Sequence, residues 1–206
     1  GLVSDLTATP VPSATPLVVA DAPVLQAPDE PYTNEASIDL VGTVPANVAG
    51  SADWRIRVYV AIGKGEAGPV TEVPVGVSQH FLIPGLTLSP GRNTFTATLV
   101  GLNDLESEPS AAVAYVLDTA KPKITLSSPK ANAVVNARSV RIVGQTQGRS
   151  ALSARNLTTN ATVTGAADAK GAFTLVLPIG TGVNELEVTA TDPAGNVNVA
   201  KVSVRR

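Results

Sequence analysis

Apolar and polar side chains alternate with a period of two over short stretches of the chain, and Gly, Pro, Asn or Asp residues separate these stretches. In the stretch 93–99, Phe95, Ala97 and Leu99 share one side, whereas three Thr residues occupy the other. Successive side chains of a β-strand point to opposite faces of its sheet. The alternation therefore predicts half-buried strands separated by tight turns.

The pattern predicts about seven strands in each half of the chain. In the first half we expect them at 24–27, 37–43, 55–62, 71–75, 80–83, 93–101 and 111–117. In the second half we expect them at 123–127, 139–146, 151–156, 161–164, 173–177, 184–191 and 197–205. This number of strands in about 100 residues is typical of the immunoglobulin-like sandwich. The predicted fold is all-β, with two tandem immunoglobulin-like Greek-key β-sandwiches.

An internal repeat supports two modules. Ser37–Thr43 resembles Ser139–Gln145 at an offset of 102 residues, and the stretch 91–95 resembles 182–186 at an offset of 91. The first module thus carries about ten extra residues between these strands, which we place in the polar stretch 63–68.

The prolines at the beginning of the chain predict a linker. Pro10, Pro12 and Pro16 lie among Thr and Ser residues, and proline at this density favours an extended polyproline II spacer. Together with the internal repeat, this divides the chain into a Pro/Thr-rich flexible linker (1–21), a first immunoglobulin-like domain (22–119) and a second immunoglobulin-like domain (120–206).

Composition excludes several classes of function. The net charge is -2 with no basic block, so we expect no nucleic-acid partner. No stretch approaches the roughly 20 apolar residues of a membrane helix, which argues against direct membrane insertion. The chain has no Cys, which favours an exported bacterial protein over a eukaryotic immunoglobulin domain. It also has no Met and begins at Gly1, so we expect a piece of a longer protein.

Catalytic chemistry has few candidates. His80 is the only histidine, and alternation places it opposite Phe81 on the solvent side, so a surface histidine is favoured over a catalytic base. One His and no Cys cannot form a zinc site. The stretches 63–65 and 148–150 are too short for phosphate loops. We therefore predict no enzyme activity, no cofactor and no catalytic, cofactor-binding or metal-binding residue.

Carboxylates are the remaining possible metal ligands. They lie near the expected module ends, at Asp29, Glu30, Asp104, Glu106, Glu108 and Asp118. Tandem modules can hold Ca²⁺ at such places, but the alternating Asp/Asn spacing of a calcium loop is absent. Solvated loop residues are the leading interpretation, and interdomain calcium is the alternative.

Two further motifs have structural explanations. Trp54 opens the third predicted strand, where a core position is favoured; stacking on a sugar together with Tyr32 or Tyr59 is the alternative. Asn156 and Asn160 both fit the N-glycosylation pattern. We expect them to be ordinary turn residues.

The second half resembles a known family. The stretch 118–129 and the stretch 182–196, which ends in Asp-Pro-Ala-Gly-Asn, resemble the first and last segments of bacterial immunoglobulin-like domains of the Big or glucodextranase-B-like type. Val143 and Gly144 match the second strand of that family. In the first half, the stretch 103–109 replaces the last turn, and this half is similar to fibronectin type III modules. The resemblance implies a spacer, a stalk or an accessory domain.

We therefore expect a non-catalytic, extracellular stalk or spacer of a bacterial surface or secreted protein, with adhesion as one variant. The alternatives are a carbohydrate-binding accessory region of a polysaccharide-acting enzyme and a calcium-stiffened adhesin segment. The expected partner is a protein or polysaccharide at the cell surface, and the expected state is a monomer. Pro122 restricts the short connection 118–122, so we expect two modules placed end to end and stiffened by the linker.

Overall fold

The computed structural model describes residues 20–102 and 104–206. The predicted linker 1–21 lies outside these residues, except for its last two positions. The described chain forms sixteen strands in two sandwiches. The first sandwich consists of β1 (Val24–Leu25), β2 (Tyr32–Thr33), β3 (Ser37–Thr43), β4 (Arg55–Ile62), β5 (Gly68–Pro74), β6 (His80–Thr87), β7 (Gly91–Val100) and β8 (Val113–Leu117).

The second sandwich repeats this series of strands. It consists of β9 (Thr125–Ser128), β10 (Ala133–Val134), β11 (Ser139–Gln145), β12 (Ala151–Asn156), β13 (Thr162–Ala166), β14 (Ala172–Pro178), β15 (Val183–Thr191) and β16 (Val197–Arg205). Fourteen of the sixteen strands overlap the stretches expected from alternation. The two that were not expected, β2 and β10, have two residues each, which is too short to show a period.

Both modules have the same sheet topology. A three-stranded sheet, β1-β3-β6 in the first module and β9-β11-β14 in the second, faces a five-stranded sheet. The five-stranded sheets have the orders β2-β8-β7-β4-β5 and β10-β16-β15-β12-β13. In each module, only the short strand at the edge runs parallel to its neighbour, which is the last strand of the module. The chain is thus all-β and forms two tandem immunoglobulin/fibronectin type III-like sandwiches.

Each sandwich has its own apolar core between its sheets. In the first core, Phe95, Ala97 and Leu99 are buried, as alternation predicts, and the ring of Phe95 meets Tyr115 edge-on at 6.0 Å between centroids. Ala20 also belongs to this core. In the second core, Leu186, Val188 and Ala190 are buried in the same way, whereas Glu185 is exposed. Burial of these faces provides the main stabilisation of each module.

A glycine and a phenylalanine form the same contact in both cores. A Cβ atom added to Gly42 would lie 2.4 Å from the ring of Phe81, and one added to Gly144 would lie 2.6 Å from the ring of Phe173. Backbone oxygens of the neighbouring first strands lie equally close. The Val-Gly pair of the internal repeat is therefore explained by packing, because only glycine leaves room for the ring.

A buried asparagine fixes the same turn in both modules. Asn93 accepts a hydrogen bond from the backbone N–H of Ser89 and donates to the carbonyls of Ser89 and Gly91. Asn184 makes the equivalent three bonds with Gly180 and Gly182. Each side chain replaces backbone partners that the turn itself cannot supply.

The extra residues of the first module lie elsewhere than expected. The connection between β4 and β5, at 63–67, has the same length as its counterpart at 157–161. The connection between β3 and β4 spans 44–54, whereas its counterpart spans only 146–150. Placement at 63–68 was wrong because the inserted residues are not a polar loop: Val44 and Val48 are buried in the core.

Leu186→Asp is expected to unfold the second module, because it places an unpaired carboxylate in a site that is 1% exposed. We expect a loss of more than about 4 kcal/mol. Glu187→Ala is the matched control, since it removes only a surface ion pair with Lys201 and changes the free energy by no more than about 0.5 kcal/mol. Two-dimensional NMR spectra should show collapsed resonances for residues after 122 in Leu186→Asp alone. Equal effects of both substitutions would contradict the register of β15.

Candidate functional site

The two side chains singled out for chemistry lie apart. His80 begins β6 and is exposed, as expected, and its backbone N–H is held by the hydroxyl of Ser78. Trp54 is half-buried and packs on the first core. Its ring also covers Gly101, where an added Cβ would lie 3.4 Å away. Trp54 thus occupies the core position that was favoured over a sugar-stacking surface.

Three carboxylates of the first module, those of Glu72, Asp104 and Glu106, form an ionic network with two arginines. On the outer face of the five-stranded sheet, Arg57 bonds to Glu72 at 2.7 Å and to Glu106. Arg55 joins Glu72 to Asp104, with both contacts at 2.8 Å. Opposite charges at these distances hold the loop after β7 against the sheet.

Glu106 is the most enclosed acid of this network. Partial burial alone would raise its pKa, but hydrogen bonds from Thr98, Tyr59 and Arg57 outweigh burial, so the pKa lies below its usual value of 4.5. The hydrogen bond with Glu72 contributes most to raising the pKa of Arg57. Both groups are therefore charged at neutral pH.

The module junction is a second polar network. Asn196 donates its side-chain N–H to the carbonyl of Asp118 at 2.7 Å, and Asn198 donates to the carbonyl of Pro122 at 2.9 Å. The carboxylate of Asp118 accepts from the backbone N–H of Ala120 and from the amide of Gln147. The connection 118–122 is thus bonded to the second module at both of its ends.

The turn that presents Asn196 is rigid for local reasons. One carboxylate oxygen of Asp192 accepts from the backbone N–H groups of Ala194 and Asn196, both at 2.9 Å. Gly195 has a φ of 89°, which glycine adopts without steric cost. Asn196 does not have a positive φ. Its role in the junction is therefore the hydrogen bond that its side-chain amide donates. The Asp-Pro-Ala-Gly-Asn motif therefore builds a fixed donor that points at the linker.

An open cleft of about 470 Å³ lies between the modules. The first module contributes the residues just before and in β2, including Asp29, Glu30 and Tyr32. The second module contributes the turn between β11 and β12, including Gln147 and Arg149. The remaining lining residues are Pro31, Gly148, Ala169 and Pro193.

Metal ligation has no geometric support in the described residues: no three side chains of His, Cys, Asp or Glu in 20–102 and 104–206 are grouped so that they could hold an ion. Asp29 and Glu30 line the cleft, whereas Asp118 is engaged by its own hydrogen bonds. Glu108 is exposed beside the ionic network. The described residues also include no helix with the length and hydrophobicity needed to cross a membrane.

The two possible glycosylation sites differ. Asn156 is the last residue of β12. Its side chain is fully buried and donates a hydrogen bond to the side chain of Asn184 at 2.9 Å. Asn160 is exposed, has a φ of 62° and accepts a hydrogen bond from Arg155.

Comparison with known proteins shows similarity to a small part of one long bacterial protein. No protein-family profile matches the chain. It is 27% identical over 186 residues to Bacillopeptidase F of Bacillus subtilis (strain 168), a match that covers 90% of this chain and 12% of that protein. The chain therefore spans about an eighth of the length of this relative.

Several solved structures resemble the chain at low identity. The fibronectin(III)-like modules of Clostridium thermocellum CbhA align at a TM-score of 0.45 and 16% identity, covering 92% of this chain and 90% of theirs. A Ca²⁺-stabilized adhesin of an Antarctic bacterium that binds ice aligns at 0.45 and 15%, covering 91% and 49%. A tetra-tandem repeat of a large adhesion protein aligns at 0.38 and 18%, covering 89% and 48%. At this similarity, the fold assignment rests on the strand order of the chain itself.

Glu106→Gln is expected to destabilise the first module by about 1 kcal/mol at pH 7. The folded pKa of Glu106 is below 4.5, so its carboxylate stabilises the fold above that pH and loses this contribution as the pH falls through the folded value. The difference between wild type and variant should therefore shrink below pH 4.5. Urea unfolding followed by fluorescence of Trp54, the only Trp, reports on this module.

The matched control is Glu108→Gln, because Glu108 is exposed two residues away and its carboxylate makes no hydrogen bond to the described residues. It should leave the unfolding curves unchanged at every pH. A pH-independent loss in Glu106→Gln would show that the network is not acting through its charge.

Proposed function

We propose that the chain is a non-catalytic, extracellular spacer of a bacterial surface or secreted protein, in which two modules are held end to end. The observation that carries this proposal is the hydrogen bond from Asn196 to the carbonyl of Asp118. It joins the last turn of the second module to the chain that leaves the first. A spacer needs such a joint, because a flexible connection would not keep its ends apart.

Loops, and not sheets, make the contacts between the modules. No two strands from different modules pack extensively in the described residues. The close approaches involve the connection 118–122 and the turn 192–196. They also involve Asn34, whose amide nitrogen would lie 3.5 Å from a Cβ atom added to Gly195. A small interface of this kind permits motion unless directional bonds restrict it. The stiffness proposed here therefore comes from the linker bonds, with Pro122 as only one contributor.

A bacterial origin and an extracellular location complete the proposal. The similarity to part of Bacillopeptidase F supports a module of a long bacterial chain. The absence of Cys agrees with a bacterial exported protein, because many of these lack Cys, whereas secreted eukaryotic immunoglobulin domains usually contain a disulfide. The partner is a protein or polysaccharide at the cell surface, and the chain acts as a monomer.

Small-angle X-ray scattering of residues 1–206 tests the spacer. We expect an elongated particle whose curve changes little with salt, and no change on adding Ca²⁺ or EDTA. A variant with a Gly/Ser stretch inserted after Thr119 is the control, and its distribution of shapes should broaden. A side-by-side particle would overturn the spacer, and a clear stiffening by Ca²⁺ would favour the calcium-stabilised alternative.

Asn196→Ala should loosen the joint while leaving the modules folded. The bond to Asp118 is lost, but Asp192 still accepts the two backbone N–H groups of the turn. We expect a loss of about 1 kcal/mol in the second module. In ¹⁵N relaxation measurements, the rotational correlation times of the two modules should differ more in the variant than in wild type. Asn136→Ala, at an exposed loop position of the same module without a positive φ, should change neither quantity.

A further inference from the structure

The cleft between the modules has walls of different chemistry. One wall carries the carboxylates of Asp29 and Glu30, and the other carries the guanidinium of Arg149. Tyr32, which is 45% exposed, adds an aromatic surface, and Pro193 adds an apolar one. The volume of about 470 Å³ is in the range of small-ligand sites, which are about 300–1,000 Å³.

The polar groups of this cleft are not used by the fold. Within the described residues, the side chains of Asp29, Glu30, Tyr32 and Arg149 form no hydrogen bond with each other or with any other residue, and no salt bridge crosses the cleft. Opposite charges that face each other without pairing leave donors and acceptors available to a third partner.

The walls are nevertheless fixed in place. Arg149 has a φ of 64°, its N–H bonds to the carbonyl of Asp168, and Gly148 passes so close to Ala169 that a Cβ atom would lie 2.4 Å from the carbonyl oxygen. On the other wall, the carbonyl of Pro31 accepts from the N–H of Val116 at 2.7 Å. A site with a fixed backbone loses little conformational freedom when a ligand binds.

We propose that this cleft binds a pyranose unit of a neutral polysaccharide. Sugar hydroxyls donate to carboxylates and accept from a guanidinium, so one sugar ring can use both walls. The apolar C–H face of the ring can pack on Tyr32, as amphipathic ligands do on aromatic side chains. An anionic ligand is disfavoured, because two carboxylates face the single arginine.

This binding activity goes beyond the spacer role, and it rests on the fixed junction. The residues come from both modules, so the cleft exists only while the connection 118–122 holds them in register. A loosened joint would separate Tyr32 from Arg149 without altering either module.

NMR titration of ¹⁵N-labelled protein with cellohexaose, maltohexaose and fully N-acetylated chitohexaose tests the site. We expect shifts confined to 29–32 and 147–149 with at least one of these neutral sugars, and weaker binding of anionic oligogalacturonate. Tyr32→Ala and Arg149→Gln should each weaken the binding by about tenfold or more. The Gly/Ser insertion after Thr119 should weaken it as well.

Arg141→Gln and Asp53→Asn are matched controls, because both residues are exposed outside the cleft, and they should bind as wild type does. Circular dichroism verifies that each variant is folded. Absence of shifts with all three neutral sugars, or shifts located elsewhere, would overturn the cleft site. Such a result with unchanged elongated scattering would leave the spacer intact, so the two proposals fail separately.

Discussion

The junction between the two modules depends on the hydrogen bond that the side-chain amide of Asn196 donates to the backbone carbonyl of Asp118. It joins the last turn of the second module to the end of the first module. The proposed spacer role and the proposed binding cleft both depend on this junction. Asp118 also accepts a hydrogen bond from the amide of Gln147 in the second module. Of these two bonds, the one from Asn196 is the shorter, at 2.7 Å. The bond is strengthened by its surroundings, because Asp192 holds the turn that presents Asn196.

Within each module, stability comes from the same few choices of residue. A glycine leaves room for a phenylalanine between the sheets, and a buried asparagine replaces missing backbone partners in the turn before the seventh strand. These choices recur although the two cores differ in most other side chains. The first module adds an ionic network on its outer sheet, where hydrogen bonds to Glu106 outweigh the cost of partial burial. That network fastens the loop after the seventh strand to the sheet.

Alternation was sufficient to predict the fold, because half-buried strands show a period of two in the sequence. It located Leu186 and Phe95 in the cores and His80 at the surface. It could not find β2 and β10, which are too short to have a period, and it misplaced the insertion because Val44 and Val48 are apolar residues outside any strand.

The junction was only partly predictable. The motif containing Asn196 was visible as a turn, but which carbonyl its amide would reach depends on how the two modules meet in space. The pairing of Arg57 with Glu106 likewise joins residues far apart in sequence.

The most direct test of the account measures the distance between the modules. The chain has no Cys, so spin labels can be attached at Leu82→Cys and Val176→Cys without background. Both positions are exposed on strands of the three-stranded sheets. Pulsed electron–electron double resonance should give one narrow distance distribution for this pair, which broadens when Asn196→Ala is added. A broad distribution in the parent pair, or one that Asn196→Ala leaves unchanged, would contradict a junction fixed by this hydrogen bond.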